Sequence, residues 1–163
     1  MSDAPRIQSN STEEPRALGS GGGARSQPVP DTMMTVLVYS DDVDTRDKVK
    51  LAIGRRPAAD VPKVEWLECA TGPAVIAALD KGGVAVAVLD GEATPTGGMG
   101  IARQAKDEIF QCPPIVVLTG RVQDSWLANW SRAEAAVPHP LDPIVLARTV
   151  ADLMRRRAAE LPS

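Results

Sequence analysis

Short runs of nearly continuous apolar residues are the feature that most limits what this chain can fold into. Three of them occupy residues 35–40, 84–90 and 114–119, with the sequences TVLVYS, VAVAVLD and PIVVLT. Strands of this kind are covered on both faces, which is typical of a parallel sheet between two helical layers. Further strand candidates lie at 63–69 and, more weakly, at 135–138. We therefore expect five strands in one buried sheet.

Amphipathic stretches separate the strand candidates. The predicted helices span 44–54, 72–83, 97–110, 123–133 and 142–160. The first has Asp44 or Thr45 as its expected N-cap and stops at Gly54, whereas the last has Asp142 as its cap and Pro143 in its first turn. Alternating strands and helices predict an α/β fold of five βα units around a parallel sheet.

The first 32 residues differ in composition from the rest of the chain. They are rich in Gly, Pro, Ser and charged residues, and they contain almost no large apolar side chains. Such a segment cannot bury enough surface to offset the entropy of ordering. We therefore expect a disordered N-terminal tail over residues 1–32 and a single domain over residues 33–160.

The charge balance and the apolar runs exclude several classes of partner. The 18 basic and 21 acidic residues give a net charge of −3, which offers no general attraction for nucleic acid or an anionic membrane. The apolar runs are far shorter than the roughly 20 residues that span a bilayer, and the N-terminus lacks an apolar signal core. We expect a cytoplasmic protein that neither binds nucleic acid nor inserts into a membrane.

Polar side chains stand where the predicted strands end. Asp41 and Asp42 follow the first strand, Asp90 ends the third, Thr119 ends the fourth and His139 follows the fifth. Ligands of open α/β sheets bind at this carboxyl edge. Clustered carboxylates repel one another unless a cation lies among them, and oxygen ligands suit Mg²⁺. A magnesium site is the favoured interpretation, and the alternative is that these acids only cap turns.

In this order, the strand-end residues resemble the receiver domains of bacterial two-component response regulators, the CheY-like family. The similarity covers about Met34 to Arg157. It includes Pro95, Met99 and Gly100, which resemble the family's Pro-x-Met-x-Gly loop. The resemblance implies a flavodoxin-like (βα)5 doubly wound sheet with strand order 2-1-3-4-5.

The resemblance also implies a role for each site residue. Asp90 would be the phosphoacceptor, Thr119 would hydrogen-bond the phosphoryl group, and Gly120 would leave the pocket accessible. Mg²⁺ would be held by Asp41, Asp42, Asp90 and the backbone carbonyl of Glu92. The donor would be a histidine kinase or a small phosphodonor, and a downstream protein would read the result. The domain's own chemistry would be limited to gaining and losing this phosphoryl group.

Two departures from the receiver pattern lie near the fifth strand. Receivers carry a Lys-Pro pair there, and this chain has His139-Pro140. Histidine is shorter and, with an ordinary pKa of about 6.5, only partly charged at neutral pH. His139 is therefore a substitute phosphate contact, a pH-sensitive partner of the acids or a neutral residue filling the site. The aromatic residue usual just before the pair is replaced by Ala135, Ala136 and Val137.

Two functions follow from these observations. The first is a stand-alone receiver that accepts phosphate at Asp90 and signals through protein contacts. The second is a degenerate pseudo-receiver that binds its partner without phosphorylation. Trp126 and Trp130 share one face of the helix predicted at 123–133, where they either pack on the sheet or form an exposed patch for the downstream partner.

Overall fold

The structure is a computed structural model that describes residues 33–120 and 129–160. Its strands form a five-stranded parallel sheet in the order β2-β1-β3-β4-β5. The strands are β1 (Met34–Tyr39), β2 (Val64–Cys69), β3 (Val84–Asp90), β4 (Ile115–Thr119) and β5 (Ala135–Pro138). The predicted flavodoxin-like fold and its strand order 2-1-3-4-5 are confirmed.

Three long helices each connect two consecutive strands, and a fourth follows β5. They are α1 (Val43–Ile53), α2 (Gly72–Lys81), α3 (Gly98–Glu108) and α4 (Pro143–Glu160). Residues 129–131 are also helical, and the beginning of the helix predicted at 123–133 lies outside the described residues. The predicted N-terminal tail, residues 1–32, lies outside them as well. In the part of the chain that is described, no helix has the length and apolar character needed to cross a membrane.

The start of α1 differs from the expectation drawn from sequence. Asp42, rather than Asp44 or Thr45, is the N-cap, with extended backbone angles of φ −104° and ψ 115°. Its carboxylate accepts hydrogen bonds from the backbone N–H of Asp44 (3.1 Å) and the hydroxyl of Thr45 (2.9 Å). The predicted stop at Gly54 is confirmed, and Asp142 caps α4 as expected.

The sheet separates two apolar cores. Helices α1 and α4 cover one face, where Val86 and Val88 of β3 are buried. Helices α2 and α3 cover the other face, where Ala87 and Leu89 of the same strand are buried. All seven residues of β3 are therefore buried, as its continuous apolar sequence predicts.

The strand register brings the polar strand ends to one edge of the sheet. Tyr39 at the end of β1 pairs with Leu89, one residue before Asp90. Thr119 at the end of β4 pairs with Pro138, one residue before His139. Residues that leave these strands consequently meet at the carboxyl edge of β1, β3, β4 and β5.

Candidate functional site

The carboxylate of Asp90 is the centre of this edge. The residue is only 4% exposed, although it carries an acidic side chain. Its Oδ2 accepts a hydrogen bond from the hydroxyl of Ser40 (2.8 Å), and its Oδ1 accepts one from the backbone N–H of Glu92 (2.9 Å). A buried carboxylate requires such donors, and two of them on different oxygens fix its orientation.

Ser40 is the site residue that sequence reasoning missed. It directly follows β1, is fully buried, and donates its hydroxyl hydrogen to Asp90. The same oxygen accepts a hydrogen bond from the backbone N–H of Asp42 (3.0 Å). The available signal is a small hydroxyl residue between an apolar strand and two acids, but the run TVLVYS places Ser40 within the predicted strand. Ser40 thus joins the end of β1 and the start of α1 to Asp90.

The predicted pair of acids diverges after Ser40. Asp41 is exposed, and its Oδ2 accepts a hydrogen bond from the hydroxyl of Thr94 (2.9 Å) in the loop between β3 and α3. Asp42 caps α1, and its hydrogen bonds, chiefly that from Thr45, lower the pKa of its carboxyl group. Within residues 33–120 and 129–160, no three His, Cys, Asp or Glu side chains are grouped closely enough to hold a metal ion.

Two carboxylates near Ser40 remain once Asp42 is assigned to capping, those of Asp41 and Asp90. Burial raises the pKa of the Tyr39 hydroxyl, and the charges of Asp41 and Asp90 raise it further, so both carboxylates act near the end of β1. Mg²⁺ in proteins commonly takes one or two carboxylates and keeps several waters. Asp41 and Asp90 are carboxylates of the type that such a site uses, whereas the carboxylate of Asp42 is engaged in capping α1.

The side chain of Glu92 covers the edge of the site beside β4. Thr119 ends β4 and is buried, and the next residue is Gly120. A methyl group built on Gly120 would lie 2.6 Å from the Glu92 carboxyl carbon. The Glu92 carboxylate therefore occupies the position that a Cβ would take at Gly120, whereas Gly120 also lines an open cavity together with Lys48 and His139.

His139 brings the fifth strand to the same carboxylate. Its Nε2 lies 3.8 Å from Oδ1 of Asp90, and its side chain is 31% exposed. Its backbone N–H donates to the carbonyl of Thr119 (2.8 Å), which fixes the residue beside β4. A separation of 3.8 Å is too long for a hydrogen bond, and it forms an ion pair only when the imidazole is protonated. All three interpretations of His139 are compatible with this position.

The structure describes one of the two tryptophans of the predicted patch. Trp126 lies outside the described residues. Trp130 is 48% exposed, and its ring contacts Arg103 of α3. The guanidinium of Arg103 lies 4.9 Å from the centre of its ring and donates a hydrogen bond to the Trp130 carbonyl (2.8 Å).

Comparison with known proteins bears on the family and the fold of the chain. No protein-family profile matches the chain. Two curated relatives from two strains of Mycobacterium tuberculosis, both named as uncharacterized response regulatory proteins, are 61% identical to it over 131 residues. That similarity covers 80% of this chain and 98% of each relative.

Solved structures with the same fold are more distant in sequence. The receiver domain of Francisella response regulator 1452 is 15% identical with a TM-score of 0.64, covering 76% of this chain and 98% of that one. The chemotaxis response regulator CheY4 of Vibrio cholerae is 19% identical with a TM-score of 0.63, covering 75% and 99%. These two similarities concern the fold, whereas the 61% identity to the curated relatives establishes the family. The chain belongs to the response regulators and is a receiver domain of two-component signalling.

Proposed function

We propose that this receiver domain accepts a phosphoryl group on Asp90. The observation that carries the proposal is a buried carboxylate at the end of β3 that is held by the Ser40 hydroxyl and the Glu92 amide. Each carboxylate oxygen receives one hydrogen bond and keeps a further lone pair. Asp90 is thus a nucleophile with a fixed orientation, which is what a displacement at phosphorus requires.

In the proposed reaction, a lone pair of an Asp90 oxygen attacks the phosphorus atom of the donor. An O–P bond forms, and the bond from phosphorus to the leaving group breaks. This is the P–N bond of a kinase phosphohistidine or a P–O bond of a small phosphodonor such as acetyl phosphate. The leaving group keeps the bonding electrons, and the product is an aspartyl phosphate.

Mg²⁺ would be held by the carboxylates of Asp90 and Asp41 and by the backbone carbonyl of Glu92. When bound, the ion would neutralise charge on the incoming phosphoryl oxygens. Thr119 and His139 would contact the bound phosphoryl group from the ends of β4 and β5. Asp42 has the weakest support as a ligand, because its carboxylate caps α1.

A second candidate function is a pseudo-receiver that binds its partner without phosphorylation. It is favoured by His139, which supplies no fixed charge, and by β5, where Ala135 and Ala136 provide no aromatic ring. In either function Trp130 supports a contact with a downstream protein, because about half of its surface is exposed. Exposed tryptophans are frequent at the centres of protein interfaces.

Intact mass measurement after incubation with Mg²⁺ and acetyl phosphate separates the two functions. We expect a gain of one phosphoryl group in the wild type, reversed by hydroxylamine, and none in Asp90→Asn. The matched control is Asp44→Asn, which removes another exposed acid near the same edge and should retain the gain. A wild-type protein that stays unmodified while folded would favour the pseudo-receiver.

A further inference from the structure

A buried aromatic side chain lies at the end of β1, two residues before Asp41. Tyr39 is the one tyrosine of the chain, ends β1, and is 1% exposed. Its ring belongs to the core beneath α2 and α3. Its hydroxyl donates a hydrogen bond to the backbone carbonyl of Thr96 (2.6 Å). A buried phenol with a hydrogen-bond acceptor of this kind holds both partners in place.

Thr96 belongs to the loop of residues 91–97, and this loop supplies donors to both carboxylates. The backbone N–H of Glu92 donates to Asp90, and the hydroxyl of Thr94 donates to Asp41. Tyr39 therefore ties down the same short segment that orients the two acids.

The loop is closed tightly enough to transmit this restraint. A methyl group built on Gly97 would lie 2.8 Å from the carbonyl oxygen of Gly91, so the two ends of the loop touch. Gly91 is itself fixed, because its N–H donates to the carbonyl of Leu118 (2.8 Å). Because Gly91 and Gly97 hold the two ends of the loop, we expect a displacement of Thr96 to move the backbone between them, including Glu92.

We propose that Tyr39 is a positioning residue for the acidic site, which holds loop 91–97 so that its Glu92 and Thr94 donors meet Asp90 and Asp41. Tyr39 itself touches neither the phosphoryl donor nor the reacting oxygen. The part of this inference that concerns reactivity rests on the proposed function, whereas the part that concerns the loop does not.

The variant that tests the proposal is Tyr39→Phe, which removes the hydroxyl and keeps the ring. In the unmodified protein we expect amide hydrogen exchange over residues 91–98 to become roughly threefold to tenfold faster, the effect of losing one intramolecular hydrogen bond. With acetyl phosphate and Mg²⁺, the maximal rate of phosphoryl uptake should fall about tenfold or more because the acceptor is misplaced. The donor concentration that gives half-maximal rate should change little.

The matched control is Val75→Ala, which shortens a fully buried side chain in the same core and leaves the Tyr39 hydroxyl intact. It should lose stability and yet keep slow exchange in the loop and a normal maximal rate. The proposal is overturned if Tyr39→Phe leaves exchange over 91–98 unchanged, or if Val75→Ala slows uptake as much as Tyr39→Phe does. If the wild type takes up no phosphoryl group, the proposed function fails, and the exchange measurement alone decides the role of Tyr39.

Discussion

Gly98 and Gly100 offer the same substitution at two positions of one helix with opposite expected effects. Gly98 is the first residue of α3 and packs on the end of β3. A methyl group there would lie 2.8 Å from the carbonyl carbon of Leu89 and 2.9 Å from that of Asp90. These are backbone atoms of the central strand, so they cannot move aside as a flexible side chain can. At Gly100, nothing lies within 4 Å of the same added methyl group.

The magnitudes follow from this difference. Gly100→Ala should raise the free energy of unfolding by about 0.5–1 kcal/mol, because alanine loses less backbone entropy in a helix. Gly98→Ala should lower it by about 1–3 kcal/mol, the usual cost of overpacking. The two variants should therefore differ by about 1.5–4 kcal/mol. At about 2–4 °C per kcal/mol for a chain of this size, the difference is also visible in Tm.

Urea unfolding followed by circular dichroism measures both variants against the wild type. Equal m-values would confirm that the comparison concerns stability rather than the compactness of either state. Since the clash reaches Asp90, phosphoryl uptake should also slow in Gly98→Ala and stay normal in Gly100→Ala. If Gly98→Ala were as stable as Gly100→Ala, the close contact between α3 and the end of β3 would be refuted.

Three further perturbations test other contacts. Ser40→Ala removes a donor from the buried Asp90 carboxylate and should cost about 1–3 kcal/mol, measured by urea unfolding; a neutral outcome would contradict the bond. Hydrogen bonds from two basic side chains of α1 lower the pKa of Glu68 below 4.5. The stabilisation from these hydrogen bonds is present above the unfolded-state pKa of Glu68 and is lost as the pH falls through its lower folded-state pKa. Wild type and Glu68→Gln should therefore converge in acid unfolding curves. Arg103→Ala should cost about 0.5–1 kcal/mol through its contact with Trp130, and no change in urea unfolding would argue against that stacking.

The fold was predictable because its signals are local and repeated. The predicted strands lie within a residue of their observed bounds, and Gly54, Asp142 and Pro143 marked helix ends where the structure has them. The carboxyl edge followed from the parallel order of the strands. The position of Asp90 at that edge therefore required no information beyond the sequence.

The details of the site were less predictable because neighbouring residues compete for the same role. Ser40, Asp41 and Asp42 are consecutive polar residues, and the one that faces Asp90 depends on where β1 ends. Side-chain direction alternates along a strand, so an error of one position exchanges the buried contact of Ser40 for the exposed contact of Asp41 with Thr94. The place of the Glu92 side chain over Gly120 depends on the packing of two loops, which no local pattern encodes.

The division of the interior into two cores has a consequence for how such a domain can diversify. Side chains beneath α1 and α4 belong to one cluster and those beneath α2 and α3 to the other. Substitutions in clusters that share no contacts have nearly additive effects on stability. One helical layer can therefore accumulate changes that suit a new binding surface while the other, with its own packing, stays intact. A lineage carrying this domain can change its partners one face at a time.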